Sequence, residues 1–109
     1  MREISTGKRE VSINYHEVEK KIIQTYGIHA QSLIACEELA ELIQAISKTI
    51  RGGHGTDNLI EEIADSEIMI EQLEIFYGID RKKIDEVKRY KLERQLKRIE
   101  IAEKQEKVE

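Results

Sequence analysis

The sequence predicts an all-α domain built from four helices. Three observations carry that prediction. The chain is rich in Glu, Lys, Ile and Leu, with no proline and only six glycines, a mixture that favours long helices. Apolar residues recur at helical spacing in successive stretches. Glycines fall between those stretches, where helices stop. At 109 residues, with 37% charged and 39% apolar, the chain is read as one small domain whose core is adequate but not generous.

Residues 1–13 are mixed and polar without a clear period, and read as a loose arm. The first helix starts after Asn14, with Glu17 three residues on as in a capping box. Tyr15, Val18, Ile22 and Tyr26 make its apolar stripe, and Gly27 is its stop. The second helix runs from about His29 to Arg51, with Leu39, Leu42, Ile43, Ile46 and Ile50 as the expected core stripe. Gly52, Gly53 and Gly55 around His54 read as a helix cap and a turn between antiparallel central helices. They lack the strand, lysine and spacing of a phosphate-binding P-loop. The third helix begins near Thr56 to Asn58 and continues to Tyr77, with Glu67, Glu71 and Glu74 as its solvent face. Gly78 ends it, and Asp80 caps the fourth helix. There Ile84 and Val87 open a core line that Lys91, Arg94 and Arg98 continue, while Leu92, Leu96 and Ile99 form a second, offset line. Residues 102–109 are expected to fray.

Charge and cysteine usage narrow the function classes. The net charge of -4 conceals acids gathered in the middle and Lys and Arg gathered from Arg81 to Lys107. No strongly basic footprint spans the chain, so a nucleic-acid polymer is not an expected partner. No apolar run approaches the roughly 18 residues of a membrane span, and no signal peptide is recognisable. A single cysteine, Cys36, excludes an internal disulfide and suits a reducing compartment. The reading is cytoplasmic, with Cys36 expected to be a buried thiol.

The chemistry concentrates between Glu37 and Asp65. Glu38 and Glu41 on one helix, and Glu62 and Asp65 on the next, are carboxylate pairs three residues apart. Residues so spaced share a helix face, so each pair repels itself and projects one way. Gln31 lies a heptad before Glu38, points in the same direction and is a further candidate for binding the substrate. Glu62 and Asp65 fall on the arc of Met69, Leu73 and Phe76, which should face inward. Ionised carboxylates against apolar groups are costly unless paired or bound to metal. Four oxygen ligands suit Mg²⁺, with Mn²⁺ possible too. Zinc is disfavoured by the absence of Cys/His spacing, and a di-iron centre by the absence of Glu-x-x-His. The chemistry such a site supports is metal-assisted attack of water on a phosphate. The alternative is a non-enzymatic helical interaction module whose acids are a solvated face.

Glu37-Glu38-x-x-Glu41 followed by Glu62-x-x-Asp65 resembles the EExxE…ExxD signature of MazG-like, all-α nucleoside triphosphate pyrophosphohydrolases. Glu-Glu-Leu-Ala-Glu-Leu and Asn-Leu-Ile-Glu-Glu-Ile-Ala-Asp are similar to its surroundings, and the resemblance spans about Tyr15 to Arg98. It implies hydrolysis between the α and β phosphates, giving NMP or dNMP and pyrophosphate, with base and sugar left open. It implies that Glu38, Glu41, Glu62 and Asp65 are both catalytic and Mg²⁺ ligands, one of them also orienting the attacking water. Lys48, Lys91, Arg94 and Arg98 resemble cations that bind the substrate phosphates. A homodimer or homotetramer is implied as well. Ser66-Glu67 departs from the apolar residues common after the aspartate.

Overall fold

The computed structural model describes residues 2–6 and 9–108, with side-chain surroundings described for residues 13–107. Its order is β1 (Arg2–Thr6), β2 (Arg9–Ile13), α1 (Tyr15–Tyr26), α2 (Ile28–Arg51), α3 (Asp57–Phe76) and α4 (Arg81–Val108). Four helices account for most of the chain, as expected. The arm expected to be loose instead holds an antiparallel pair of strands, in register from Arg2 opposite Ile13 to Thr6 opposite Arg9. Each strand has only five residues, too few for alternation to stand out in the sequence, although Ile4, Thr6, Val11 and Ile13 are all β-branched.

Local chemistry sets the helix ends. The Asn14 side chain accepts a hydrogen bond from the Glu17 N–H at 3.2 Å, which satisfies one orphan donor of the first turn of α1. Gly27 then closes α1 by donating to the Ile23 carbonyl. Its φ of +88° lies where a side chain is strained, so the chain turns on this single residue and enters α2 at once. At the start of α4, Asp80 Oδ1 accepts from the Lys82 N–H at 3.0 Å. The helix continues to Val108, beyond the expected fraying point at about Ala102. Glu-, Lys- and Gln-rich sequence without a breaker sustains those last turns.

The chain divides into two compact units, Met1–Gly78 and Ile79–Glu109. In the first, α2 and α3 make the principal seam, and α1 packs more lightly on both. The partners of α2 and α3 are met in opposite order. Gln31 bonds Gln72, Glu38 and Glu41 meet Glu62, and Ala45 and Thr49 share a cavity wall with Asn58 and Leu59. The inward line of α2 is Gln31, Ala35, Glu38, Leu42, Ala45 and Thr49, and that of α3 includes Leu59, Glu62, Ser66, Met69, Gln72 and Phe76.

This corrects the expected core. Leu39 and Leu42 are half-buried, but Ile43 is 68% exposed, Ile50 is 80% exposed and Ile46 is exposed too. In α1, Val18 and Tyr26 are exposed, while Glu19 takes the buried place between Tyr15 and Ile22. Cys36, expected to be buried, is also exposed. The physical reason lies in side-chain size. Ala35, Ala45 and Ser66 on the facing lines are small, which lets two helix backbones approach closely. The larger isoleucines are rotated off that seam.

The second unit is α4, with eleven Lys and Arg against six Asp and Glu from Arg81 to Val108. Its apolar residues Val87, Leu92, Leu96 and Ile99 are exposed. No helix among the described residues is long and apolar enough to cross a membrane.

Gln31 Nε2 donates to Gln72 Oε1 at 2.8 Å in a buried setting. Replacing Gln72 alone by Leu strands that donor, so Q72L is expected to lower stability by about 1–3 kcal/mol in urea denaturation. The double change Q31L/Q72L removes both polar groups and is expected to recover most of the loss. A double variant as unstable as the sum of the singles contradicts this account.

Candidate metal centre

Three of the four motif acids converge at the middle of the α2–α3 seam. Glu38, Glu41 and Glu62 each offer a carboxylate oxygen, and these oxygens all lie within 4.8 Å of one another. Glu38 and Glu62 are half-buried on the inward lines, and Glu41 is exposed at the edge. Asp65 lies beside them, with its side chain hydrogen-bonded to Glu38. It is exposed at the rim, not turned inward with Glu62 as the helical arc predicts. The three-residue step carries Asp65 about 300° around α3 from Glu62, and α2 covers only the nearer side.

The electrostatics of this cluster are unfavourable as it stands. Burial raises the Glu38 carboxyl above the ordinary range, reinforced by the charges of Glu41, Asp65 and Glu62 and by the Asp65 hydrogen bond. Glu62 is raised too, first by loss of solvent and then by Glu41 and Asp65. Glu38 Oε2 and Glu62 Oε2 are buried without a hydrogen-bond donor. The contacts of Glu38 with Asp65 and of Glu62 with Glu41 are hydrogen bonds only while one partner carries a proton. Among the described residues no ion pair involves any of the four acids.

The donor set fits a hard divalent cation. Such an ion takes oxygen ligands at about 2.0–2.6 Å, so two oxygens on one ion lie no more than about 5 Å apart. The orphaned oxygens of Glu38 and Glu62 are the atoms that need a positive partner. Glu38, Glu41 and Glu62, with Asp65 at the rim, are the residues that would hold it.

The other sequence-predicted residues are less concentrated. Gln31 shares the inward line with Glu38, but it is buried and its amide is committed to Gln72. Lys48, a heptad beyond Glu41, lines a small cavity of about 140 Å³ with Thr49, His54 and Asn58 near the α2–α3 turn. Lys91, Arg94 and Arg98 are exposed on α4, in the second compact unit, where the Arg94 guanidinium lies 5.6 Å from the Tyr90 ring centre.

Gln72 was not singled out from sequence, and Ser66 was noted there only as a departure from the apolar pattern. Gln72 is 2% exposed and completes the buried amide pair. Ser66, the departure from the apolar pattern, is buried one turn from Glu62, with its Oγ unpartnered. Its place on the Glu62 arc, at i+4, was the available signal. No family model, curated protein or solved structure matches the chain.

The raised carboxyls fix the sign of a pH effect. For an acid whose folded pKa is raised, stability is full below the unfolded value and falls as pH rises through the folded one. Metal-free melting temperature is therefore expected to fall as pH rises from the ordinary carboxyl range through the raised Glu38 and Glu62, while saturating Mg²⁺ raises it most at the upper end. Glu62→Gln is expected to keep or raise the metal-free value and to lose most of the Mg²⁺ response. Identical wild-type melts in EDTA and Mg²⁺ across that range would remove the metal from the account.

Proposed function

We propose that this protein is a Mg²⁺-dependent nucleoside triphosphate pyrophosphohydrolase of the MazG-like all-α type, with Mn²⁺ able to replace Mg²⁺. The observation that carries the reading is a coincidence of motif and geometry. The acids of the EExxE…ExxD pattern supply the three carboxylates whose oxygens lie within 4.8 Å at the α2–α3 seam. The opposite order of contacts along α2 and α3 supports the antiparallel arrangement of that family.

Bound there, Mg²⁺ supplies Lewis acidity toward phosphoryl oxygens and eases deprotonation of water. Glu38, Glu41 and Glu62 hold the site, and Asp65 at the solvent rim orients the attacking water and accepts its proton. Oxygen from water bonds to the α phosphorus as the link to the bridging oxygen breaks, and pyrophosphate departs with that electron pair. Lys48 and, from α4, Lys91, Arg94 and Arg98 are the cations assigned to the substrate phosphates. Gln31, whose Nε2 is held by Gln72 and whose Oε1 has no partner, stands one heptad before Glu38 as a further candidate for the nucleotide.

The partner chains follow from the unfilled apolar face. Ile43, Ile46 and Ile50 on α2 and Ile60 and Ile63 on α3 are exposed. Both groups follow the inward lines by about 60–160° of helix rotation. On helices running in opposite senses, such groups emerge on the same side. A second copy would cover that side, giving a homodimer or homotetramer in a cytoplasmic setting. An interaction module without activity would also explain these isoleucines, but it gives no reason for acids at the seam.

A panel of NTPs and dNTPs with Mg²⁺, scored for monophosphate and pyrophosphate, tests the activity. Asp65→Asn is expected to reduce turnover at least about a hundredfold, the scale of a lost general base, with metal-free stability unchanged or higher. Lys91→Ala and Arg98→Ala are expected to weaken nucleotide binding and to spare the Mg²⁺ effect on melting. A strongly destabilised yet active Asp65→Asn would overturn the assignment.

A further inference from the structure

A second carboxyl pair lies away from the metal centre, between α1 and α3. Along that seam lies a groove of about 340 Å³, open to solvent on one side, whose apolar wall includes Ile13, Val18, Ile22, Ala64 and Ile68. Glu19 lines it as well, yet is only 6% exposed, and its side chain is hydrogen-bonded to Glu71. Glu71 and Glu74 of α3 act on Glu19 directly, while Glu67 of α3 and Tyr15 of α1 complete the titratable groups of the wall. α2 adds no residue to that wall, and none of its members is Lys, Arg or His. Two carboxylates cannot hydrogen-bond unless one of them keeps a proton.

We propose that Glu19 and Glu71 form a proton-dependent clasp that fastens α1 to α3, closed while they share a proton and released when it is lost. Glu19 occupies the inward position of α1 between Tyr15 and Ile22, so its head cannot turn to water while α1 stays docked. Burial, the Glu71 hydrogen bond and the charges of Glu71 and Glu74 together push Glu19 from 4.5 up to about 8. Docked α1 therefore keeps a proton that detached α1 gives up between those values. Docking is full below the interval and weakens as pH rises through it. The clasp is independent of the pyrophosphohydrolase reading, because Glu71 lies nine residues beyond Glu62, about half a turn around α3.

Hydrogen exchange on the full chain in EDTA, from about pH 6 to about pH 9, tests the clasp. Corrected for intrinsic exchange, the opening constant of α1 peptides is expected to rise about tenfold per pH unit up to about pH 8 and then level off. Peptides from α2 and α3 carry the separate slope of the Glu38–Glu62 cluster, which Glu19→Gln and Glu71→Gln are expected to leave in place. In Glu19→Gln the amide donates to the Glu71 carboxylate without a shared proton, and Glu71→Gln does the reverse. Both variants are expected to keep α1 protected with a flat profile, and either one alone suffices if the other fails to fold. An α1 slope absent from wild type, or kept in a folded variant, overturns the proposal.

Discussion

The close approach of α2 to α3 is the constraint on which the rest of this structure depends. Ala35 and Ala45 on one helix and Ser66 on the other put small side chains on the facing lines. The same lines carry Glu38 and Glu62, so a tight seam also withdraws water from two acids. The fixed pitch of a helix makes these inseparable: residues at i, i+4 and i+7 share a face whatever their chemistry. The buried Gln31–Gln72 bond holds the seam toward the start of α2. It consumes the amide nitrogen that would otherwise be an unpaired donor.

Helix number, the Asn14 and Asp80 caps and the glycine stops were legible because each rests on local chemistry within about one turn. The convergence of Glu38, Glu41 and Glu62 was legible for a related reason, since wheel angle alone puts each acid near an inward line. What failed was the choice between two faces of one helix. α2 has a large apolar stripe through Ile43, Ile46 and Ile50 and a smaller, mixed stripe through Gln31, Ala35, Leu42 and Ala45. Hydrophobicity selects the first, whereas backbone approach selects the second. Glu19 was missed in the same way, because Tyr15, Glu19 and Ile22 match the period as well as Tyr15, Val18 and Ile22, and a charge at the central position argued against burial. The short strands were hidden by their length.

The exposed stripe and the basic helix pose a common energetic problem. A helix held by a single tertiary face gains little from propensity alone, and exposed Ile side chains forgo about 25 cal/mol for each Å² left in water. Residues 1–79 carry seven Lys and Arg against fourteen Asp and Glu, the opposite balance to α4. Charge of one sign in each compact unit disfavours self-association through like faces unless apolar area dominates the contact. The isoleucine side of α2 and α3 meets that requirement, for its exposed members are uncharged. The acid cluster lies on the seam and its opposite edge.

α3 thus carries acid clusters on opposed sides. Toward α2, Glu62 meets Glu38 and Glu41 in a cluster whose geometry suits a divalent ion. Toward α1, Glu71 meets Glu19 in a pair that one shared proton links and relieves of half its charge. The difference follows from ligand number and access. Three oxygens within 4.8 Å, with exposed Glu41 at the edge, would let a hydrated ion enter and keep some water. Glu19 is itself buried beside Ile22 and Ile68, where a hydrated ion would have to shed its shell without gaining enough oxygens in return. A proton needs neither a large cavity nor a third ligand. One helix can therefore hold two kinds of acid cluster, and the number of oxygens in reach would decide which positive species suits each one.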